Sequence, residues 1–167
     1  MSYTVEKVWP YKGYTCVVIM TELGHRCGYV GVSTKHPLYG KDYHKSCRCL
    51  TPLWKDAKEK PFGKRGVMTM FAYKGDKKVS PELFFDVHGS LTFSSRKKNE
   101  DYPVTQPHTW WFGYDCGHAG DGKDLSVLSP TLREIEEKFP RNDPVRSLEY
   151  CIGECESLAE QLISVEK

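Results

Sequence analysis

The sequence predicts an α+β fold: a single domain in which a long C-terminal helix packs on one face of a mostly antiparallel sheet. Residues 15–20 and 26–32 are rich in β-branched and apolar side chains, and the turn-forming triplet 23–25 between them predicts a hairpin. Residues 109–115 are rich in aromatic side chains and predict a further strand. In residues 144–165, apolar side chains recur every three or four positions, which predicts a helix with one apolar stripe.

Other segments supply the remaining elements of the predicted fold. Residues 67–73 and 83–93 are predicted strands because apolar and aromatic side chains dominate them. Residues 130–139 are predicted to form a short helix that ends at the following proline. Asp143 is the predicted N-cap of the long helix, and Pro144 suits its first helical position.

Polar segments with proline and glycine are predicted to connect these elements. Residues 44–66 are rich in lysine and contain two prolines, which predicts an inserted loop or a short helix near residues 52–59. Residues 35–43, 94–107 and 117–130 are predicted loops for the same reason.

Length and composition favour one domain that folds without disulfides or metals. The chain has 167 residues, of which 39% are hydrophobic, so it can bury a sizeable core. The net charge of +2 comes from interleaved acids and bases, so neither duplex nucleic acid nor an anionic membrane is an expected partner. The start resembles no signal peptide, and no apolar run approaches the roughly 18–20 residues of a membrane span. A cytoplasmic protein with seven reduced cysteines is therefore expected.

Ionisable side chains concentrate in two predicted strands and in the glycine-rich loop after the second. Alternate residues of a strand share a face, so Asp86 lies with His88, and Trp111 lies with Asp115. If the two strands are neighbours, the following side chains meet in one concave site: Asp86, His88, Trp111, Asp115, His118 and Asp121. An ordinary half-exposed sheet would show the same alternation, so the clustering beside glycine-rich turns carries the prediction.

Metal binding fits the residue types of this site but not their spacing. Asp86-x-His88 and Asp115-x-x-His118 offer oxygen and imidazole ligands, yet the sequence contains neither an HExxH motif nor paired CxxC motifs. His44, Cys47 and Cys49 supply three possible zinc ligands, but the sequence offers no obvious fourth one. The expectation is that no metal or other cofactor is bound.

A small nucleotide-like ligand suits the residues of the predicted site. Aromatic faces stack on nucleobases, and carboxylates accept hydrogen bonds from ribose hydroxyls or base amino groups. Arg26 and two nearby lysines are candidates for contacts with phosphate. His36, Tyr39 and Tyr43 lie in the loop after the first hairpin and are predicted to form a lid.

Four sequence blocks resemble a family of small proteins encoded by tailed phages, prophages and some bacteria. The blocks are GHRCGYVGV at 24–32, HPLYGKDY at 36–43, VHGSLTF at 87–93 and WWFGYDCGHAGD at 110–121. The resemblance implies a viral accessory protein in the cytoplasm of the infected host cell. No activity is assigned to that family, but small phage proteins with one tight pocket often counter host immunity by sequestering or cleaving nucleotide signals, which implies an anti-defence role by analogy.

Three functions remain open at this point. The first is a non-enzymatic protein that captures a nucleotide-derived signalling molecule. The second is a phosphodiesterase or other hydrolase in which His88 and His118 share acid–base work, with a metal held by Asp86, Asp115 or Asp121 as a variant; His88-Gly89-Ser90 matches half of a two-histidine phosphodiesterase pattern. The third is an interaction module that uses exposed aromatic side chains, and a homo-oligomer is compatible with each of the three.

Overall fold

Five strands form one antiparallel sheet in the computed structural model, which describes residues 2–55, 63–71, 73–75, 77–95 and 106–166. The strands lie in the order β1-β2-β3-β5-β4, and every neighbouring pair is antiparallel. Their bounds are β1 Tyr3–Tyr11, β2 Tyr14–Thr21, β3 Arg26–Ser33, β4 Phe93–Ser95 and β5 Thr109–Asp115. The described residues also form the α-helices α1 Val67–Phe71, α2 Pro81–Phe84, α3 Pro130–Lys138 and α4 Leu148–Val165, and 3-10 turns span Thr51–Leu53 and Leu125–Val127.

The long helix α4 packs on one face of the sheet, against β2 and β3, which confirms the predicted α+β architecture. Its buried stripe includes Cys151, Cys155 and Leu158, at the three- and four-residue spacing of one helix face. Strand β2 is buried on both faces, and its alternating side chains enter two different clusters. Cys16 and Val18 belong to the large core beneath the helix, whereas Val17 and Ile19 belong to a second cluster on the other face.

A glycine in β3 lets a buried tyrosine reach the helix. Gly28 pairs with Tyr114 of β5, and a Cβ atom on Gly28 would lie 2.4 Å from the Tyr114 hydroxyl. The Tyr114 hydroxyl donates a hydrogen bond to the carbonyl of Cys151, 2.8 Å away, near the N-terminus of α4. The sheet and the first turns of α4 are thus fixed relative to each other, which positions the site described below.

Two of the predicted strands, 67–73 and 83–93, are wrong. Residues 67–71 of the predicted strand 67–73 form helix α1. Within the predicted strand 83–93, Pro81–Phe84 form helix α2, and a loop leads to the short strand β4. Ser80, Pro81 and Glu82 form a helix-start signal that the apolar pattern obscured.

The loop between α2 and β4 satisfies its backbone without a strand ladder. The Asp86 N–H donates to the side chain of Gln161, and the His88 N–H donates to the side chain of Glu154. Both acceptors project from α4. In a strand these N–H groups would donate to the backbone of a neighbouring strand, but here they donate to helix side chains. The alternation of a strand therefore does not decide where Asp86 and His88 point.

The structure also changes the start of the long helix and adds a strand. Helix α4 begins at Leu148, not at Pro144, and the Ser147 hydroxyl accepts a hydrogen bond from the Tyr150 N–H as its N-cap. The residues before it have no regular secondary structure, and the Pro144 carbonyl there accepts a hydrogen bond from the Gly122 N–H at 2.8 Å. Strand β1 was not predicted, since a bulge between Val5 and Lys7 interrupts its alternation.

Part of the segment 44–66 contributes to the core. Cys47, Leu50 and Trp54 are buried there, and a 3-10 turn covers Thr51–Leu53. Residues 56–62, which include half of the predicted short helix at 52–59, and residues 96–105 of the predicted loop 94–107 lie outside the described residues. In the described parts of the chain, none of the helices has the length and apolar character needed to cross a bilayer.

Candidate functional site

A cavity of about 870 Å³ opens beside the N-terminal half of α4, where six stretches of the chain converge. This volume is in the range that small-molecule sites occupy. The lining side chains combine hydrogen-bond donors, carboxylates and a few apolar groups. They are Tyr43, His44, Lys64, Arg65, Val67, Met68, Thr69, Glu82, His88, Leu91, Thr92, His118, Ala119, Asp121, Arg146 and Tyr150, with the backbone of Gly66 and Gly89.

His88 is held at both nitrogens of its ring. Nε2 lies 2.8 Å from Oδ2 of Asp121, and Nδ1 lies 2.8 Å from the hydroxyl of Tyr150. A carboxylate only accepts, so Asp121 assigns the proton to Nε2, and Nδ1 then accepts from Tyr150. Burial raises the pKa of Tyr150, which keeps its phenol protonated as a donor.

Asp121 is the buried acceptor around which the site is arranged. Only 4% of the residue is exposed, and Oδ2 accepts from the ring of His88 and from the N–H of His118, 3.1 Å away. Oδ1 accepts from Nε of Arg146 at 2.9 Å. Burial acts to raise the pKa of Asp121, but the hydrogen bonds from His88 and Arg146 outweigh it and hold the pKa below its ordinary value of 3.8.

Glu154 fixes two loops against α4. This carboxylate is 4% exposed, accepts a hydrogen bond from the N–H of His88 at 3.0 Å and forms an ion pair with Lys64. The Lys64 carbonyl in turn accepts from the N–H of Gly89 at 2.8 Å. The chain that carries α1 and the loop that carries His88 are therefore bound to each other as well as to the helix.

One nitrogen of the His118 ring is buried without a hydrogen-bond partner among the described residues. Among the described residues, Nε2 of its ring has no hydrogen-bond partner, although it lies 3.3 Å from Oδ1 of Asp115. Asp115 makes its hydrogen bonds elsewhere, since it accepts from the Thr92 hydroxyl at 2.9 Å and from the Gly117 N–H at 3.0 Å. His118 thus lines the cavity with a ring whose Nε2 atom is buried beside the Asp115 carboxylate without a hydrogen bond.

The structure brings together part of the predicted set. His88, His118, Asp121 and Tyr43 line the cavity, and Asp115 adjoins it through Thr92 and His118. Asp86 does not line it. Its Oδ1 atom accepts from the N–H of Lys64 at 2.6 Å, so Asp86 anchors the segment before α1.

Trp111 lies on the wrong face of the sheet for a stacking role. It is 4% exposed and packs with Val17, Ile19 and Cys27 in the second cluster, away from the helix. The prediction placed Trp111 in the site because its strand was taken to neighbour a strand that carries His88. In the structure His88 stands on a loop under α4, so the two residues do not share a surface.

The other predicted contacts lie away from the cavity. Nε2 of His36 is 2.8 Å from the carbonyl of Leu162, two turns beyond Glu154 on α4, and His36 is buried. Tyr39 packs against Trp110 with 6.4 Å between ring centroids. Of the predicted lid, Tyr43 alone lines the cavity.

Arg26 contacts the backbone of Arg146 and does not line the cavity. Its guanidinium donates to Glu6, with Nε 2.7 Å from Oε1, and to the carbonyl of Arg146 at 2.9 Å. Arg26 therefore holds the backbone of Arg146, whose side chain meets Asp121. Its contacts give it a positioning role and no contact with the cavity.

Sequence reasoning missed the cationic and helical members of the site. Lys64, Arg146 and Tyr150 were not predicted, nor was Glu154. One signal was available, because Glu154 interrupts the apolar stripe of the long helix between Cys151 and Leu158. A carboxylate on a buried helix face needs a polar partner, and here its partners are Lys64 and the His88 N–H of the site.

Metal ligation finds no geometric support among the described residues. They contain no group of three or more His, Cys, Asp or Glu side chains arranged around one ion. Nδ1 of His44 lies 2.6 Å from Oε1 of Glu82, and Sγ of Cys47 lies 2.8 Å from Sγ of Cys49. His44 therefore pairs with a carboxylate and does not join the two thiols.

We expect Gly89→Ala to displace the His118 ring. Gly89 has φ +67°, and a Cβ atom there would lie 2.2 Å from Cδ2 of His118. Gly120→Ala is the matched control, because its φ is +91° and its Cβ would meet nothing within 4 Å. Both variants should lose about 1–2 kcal/mol of unfolding free energy from backbone strain, and Gly89→Ala should lose more. Urea denaturation measures the loss of stability, and the imidazole NMR signals report the position of the His118 ring. Equal losses in the two variants with unchanged His118 signals would contradict the displacement.

Comparison of this chain with known protein families, with curated proteins and with solved structures finds no match.

Proposed function

We propose that the protein captures a small, phosphate-bearing, nucleotide-like molecule in this cavity and holds it without converting it. The charge of the lining supports this. Lys64, Arg65 and Arg146 lie at the cavity with the carboxylates of Glu82 and Asp121, so its cationic side chains outnumber its anionic ones. Such a lining favours an anionic ligand, and the volume suits one of nucleotide size.

The bonding of His88 favours capture over hydrolysis. Shared acid–base work by His88 and His118 requires each ring to present a nitrogen to the reacting atoms. Both nitrogens of His88 are occupied by Asp121 and Tyr150, and the two ring centroids are 6.2 Å apart. His88 therefore fits a positioning role, in which it orders the carboxylate and phenol around the cavity.

An anti-defence role extends this proposal. The resemblance of four sequence blocks to small phage and prophage proteins supports it, as does a site suited to nucleotide-derived signals. In that role the protein would act in the cytoplasm of an infected cell and lower the free concentration of an immune signal. Sequestration needs tight binding and no turnover, which agrees with the bonding of His88.

Capture and release test the proposal directly. The protein is incubated with cyclic dinucleotides and ADP-ribose derivatives, separated from free ligand and heat-denatured, and the supernatant is analysed by mass spectrometry. We expect one class of nucleotide to be released intact. A chemically changed product would support the hydrolase instead. Failure to retain any nucleotide would favour an interaction module and contradict capture.

His118→Ala should weaken the binding of the captured ligand about tenfold or more. A lost buried polar contact costs about 1–3 kcal/mol, and 1.4 kcal/mol is a tenfold change in affinity. The fold should lose little stability, since the His118 side chain is 36% exposed and its 3.3 Å contact with Asp115 is not a hydrogen bond. His108→Gly is the control, because it removes an exposed imidazole at φ 55°, which glycine adopts freely. Calorimetric titration measures both, and equal affinities would contradict the assignment.

A further inference from the structure

Helix α1 presents exposed apolar side chains at the rim of the cavity. Val67 is 68% exposed, Met68 is 79% exposed and Phe71 is 80% exposed. Val67 and Met68 nevertheless line the cavity, whereas Phe71 does not. Two of the exposed apolar side chains of this helix thus belong to the cavity lining, and the third does not.

The rim has a defined position because the segment before α1 is strongly bonded. The Gly66 N–H donates to the Ser90 hydroxyl at 2.7 Å, and Nε of Arg65 donates to the Leu83 carbonyl at 2.7 Å. Met70 packs against the main core. These contacts hold Met68 next to the donors of the cavity, so the apolar and cationic parts form one continuous site.

A free nucleotide has the matching pair of chemistries. Its phosphate suits the donors inside the cavity, and its base has apolar faces that need cover from water. Methionine packs favourably on aromatic rings because its thioether is flexible and polarisable. The burial of Trp111 removes the stacking group that the sequence suggested, and the α1 rim supplies an apolar surface in its place.

We infer that Val67 and Met68 of α1 form the base-binding part of the site, so the ligand is a nucleotide with an aromatic base and not a bare sugar phosphate. This inference rests on the proposed function, because the phosphate part of the site must exist for the base part to matter. It assigns the recognition of the base to a segment that the sequence alone predicts as a strand.

The inference is tested with two sugar phosphates, one that carries a base and one that does not. Adenosine monophosphate and ribose 5-phosphate are titrated by calorimetry into the wild-type protein, Met68→Ser and Phe71→Ser. We expect the wild type to bind adenosine monophosphate at least tenfold more tightly than ribose 5-phosphate. Met68→Ser should remove most of this preference and leave ribose 5-phosphate unchanged. Phe71→Ser is the matched control on the same helix and should behave as the wild type.

The other outcomes separate the inference from the function beneath it. Equal binding of the two ligands by the wild type, or equal effects of Met68→Ser and Phe71→Ser, overturns the base-binding role and leaves phosphate capture standing. Binding of neither ligand overturns the base-binding role, and the capture experiment with cyclic dinucleotides and ADP-ribose derivatives then decides the proposed function separately. Light scattering adds one more readout: a wild-type dimer that both variants convert to monomers would assign the α1 surface to a second copy and overturn the inference.

Discussion

Asp121→Ala should lower the free energy of unfolding by about 3–5 kcal/mol, the loss typical when one partner of a buried charge network is removed. The substitution leaves the His88 ring, the Arg146 guanidinium and the His118 N–H without their shared acceptor. Urea denaturation followed by tryptophan fluorescence measures the change. A loss below about 1 kcal/mol would show that the network contributes little to the fold.

Asp121→Asn is the matched control because it keeps the shape and removes the charge. The folded pKa of Asp121 lies below the ordinary value of 3.8, so its ionised form stabilises the fold above about pH 4. That contribution is lost as the pH falls through the lowered pKa, when the carboxylate takes up a proton. The difference in stability between the wild type and Asp121→Asn should therefore shrink below pH 4. A difference that stays constant with pH would contradict the ionised state.

Trp111→Ala should also cost about 3–5 kcal/mol of stability, while the affinity for the captured ligand stays unchanged. The side chain is 4% exposed and fills the cluster with Val17, Ile19 and Cys27, so truncation leaves a cavity in a packed core. Thermal and urea unfolding measure the stability, and titration at a temperature where the variant is folded measures the affinity.

Trp110→Ala is the control on the adjacent residue. Trp110 is only partly buried, and its indole donates to the carbonyl of Lys41 at 2.9 Å. We expect a smaller loss of stability from this variant than from Trp111→Ala. A selective loss of ligand affinity in Trp111→Ala would restore the stacking role that the sequence suggested, and the present assignment of Trp111 to the core would then fail.

The candidate site was predictable where its residues are close in sequence. His118 and Asp121 lie three residues apart in a glycine-rich turn, and the N–H of the first donates to the carboxylate of the second. Their proximity is local and follows from the chain itself. Arg146 and Tyr150 come from a helix far along the chain, and only packing brings them to Asp121 and His88.

The segment 83–93 shows why the periodicity argument failed. Its apolar residues Phe85, Val87 and Leu91 are buried as expected, but they reach the core from a loop. Alternation of apolar side chains indicates burial, whereas a strand also requires a neighbouring backbone for its hydrogen bonds. Helix α4 offered side-chain acceptors instead, and Glu154 took the N–H of His88.

The amino-acid sequence by itself determined the central hairpin, the aromatic strand β5 and the amphipathic helix α4, because each is encoded in the order of apolar and polar residues along a short stretch. It also marked His88, His118 and Asp121 as a group. Only the tertiary structure decided that Trp111 belongs to the core and that Lys64, Arg146 and Glu154 complete the site. Those assignments depend on which face of the sheet α4 covers, and that is set by packing between distant segments.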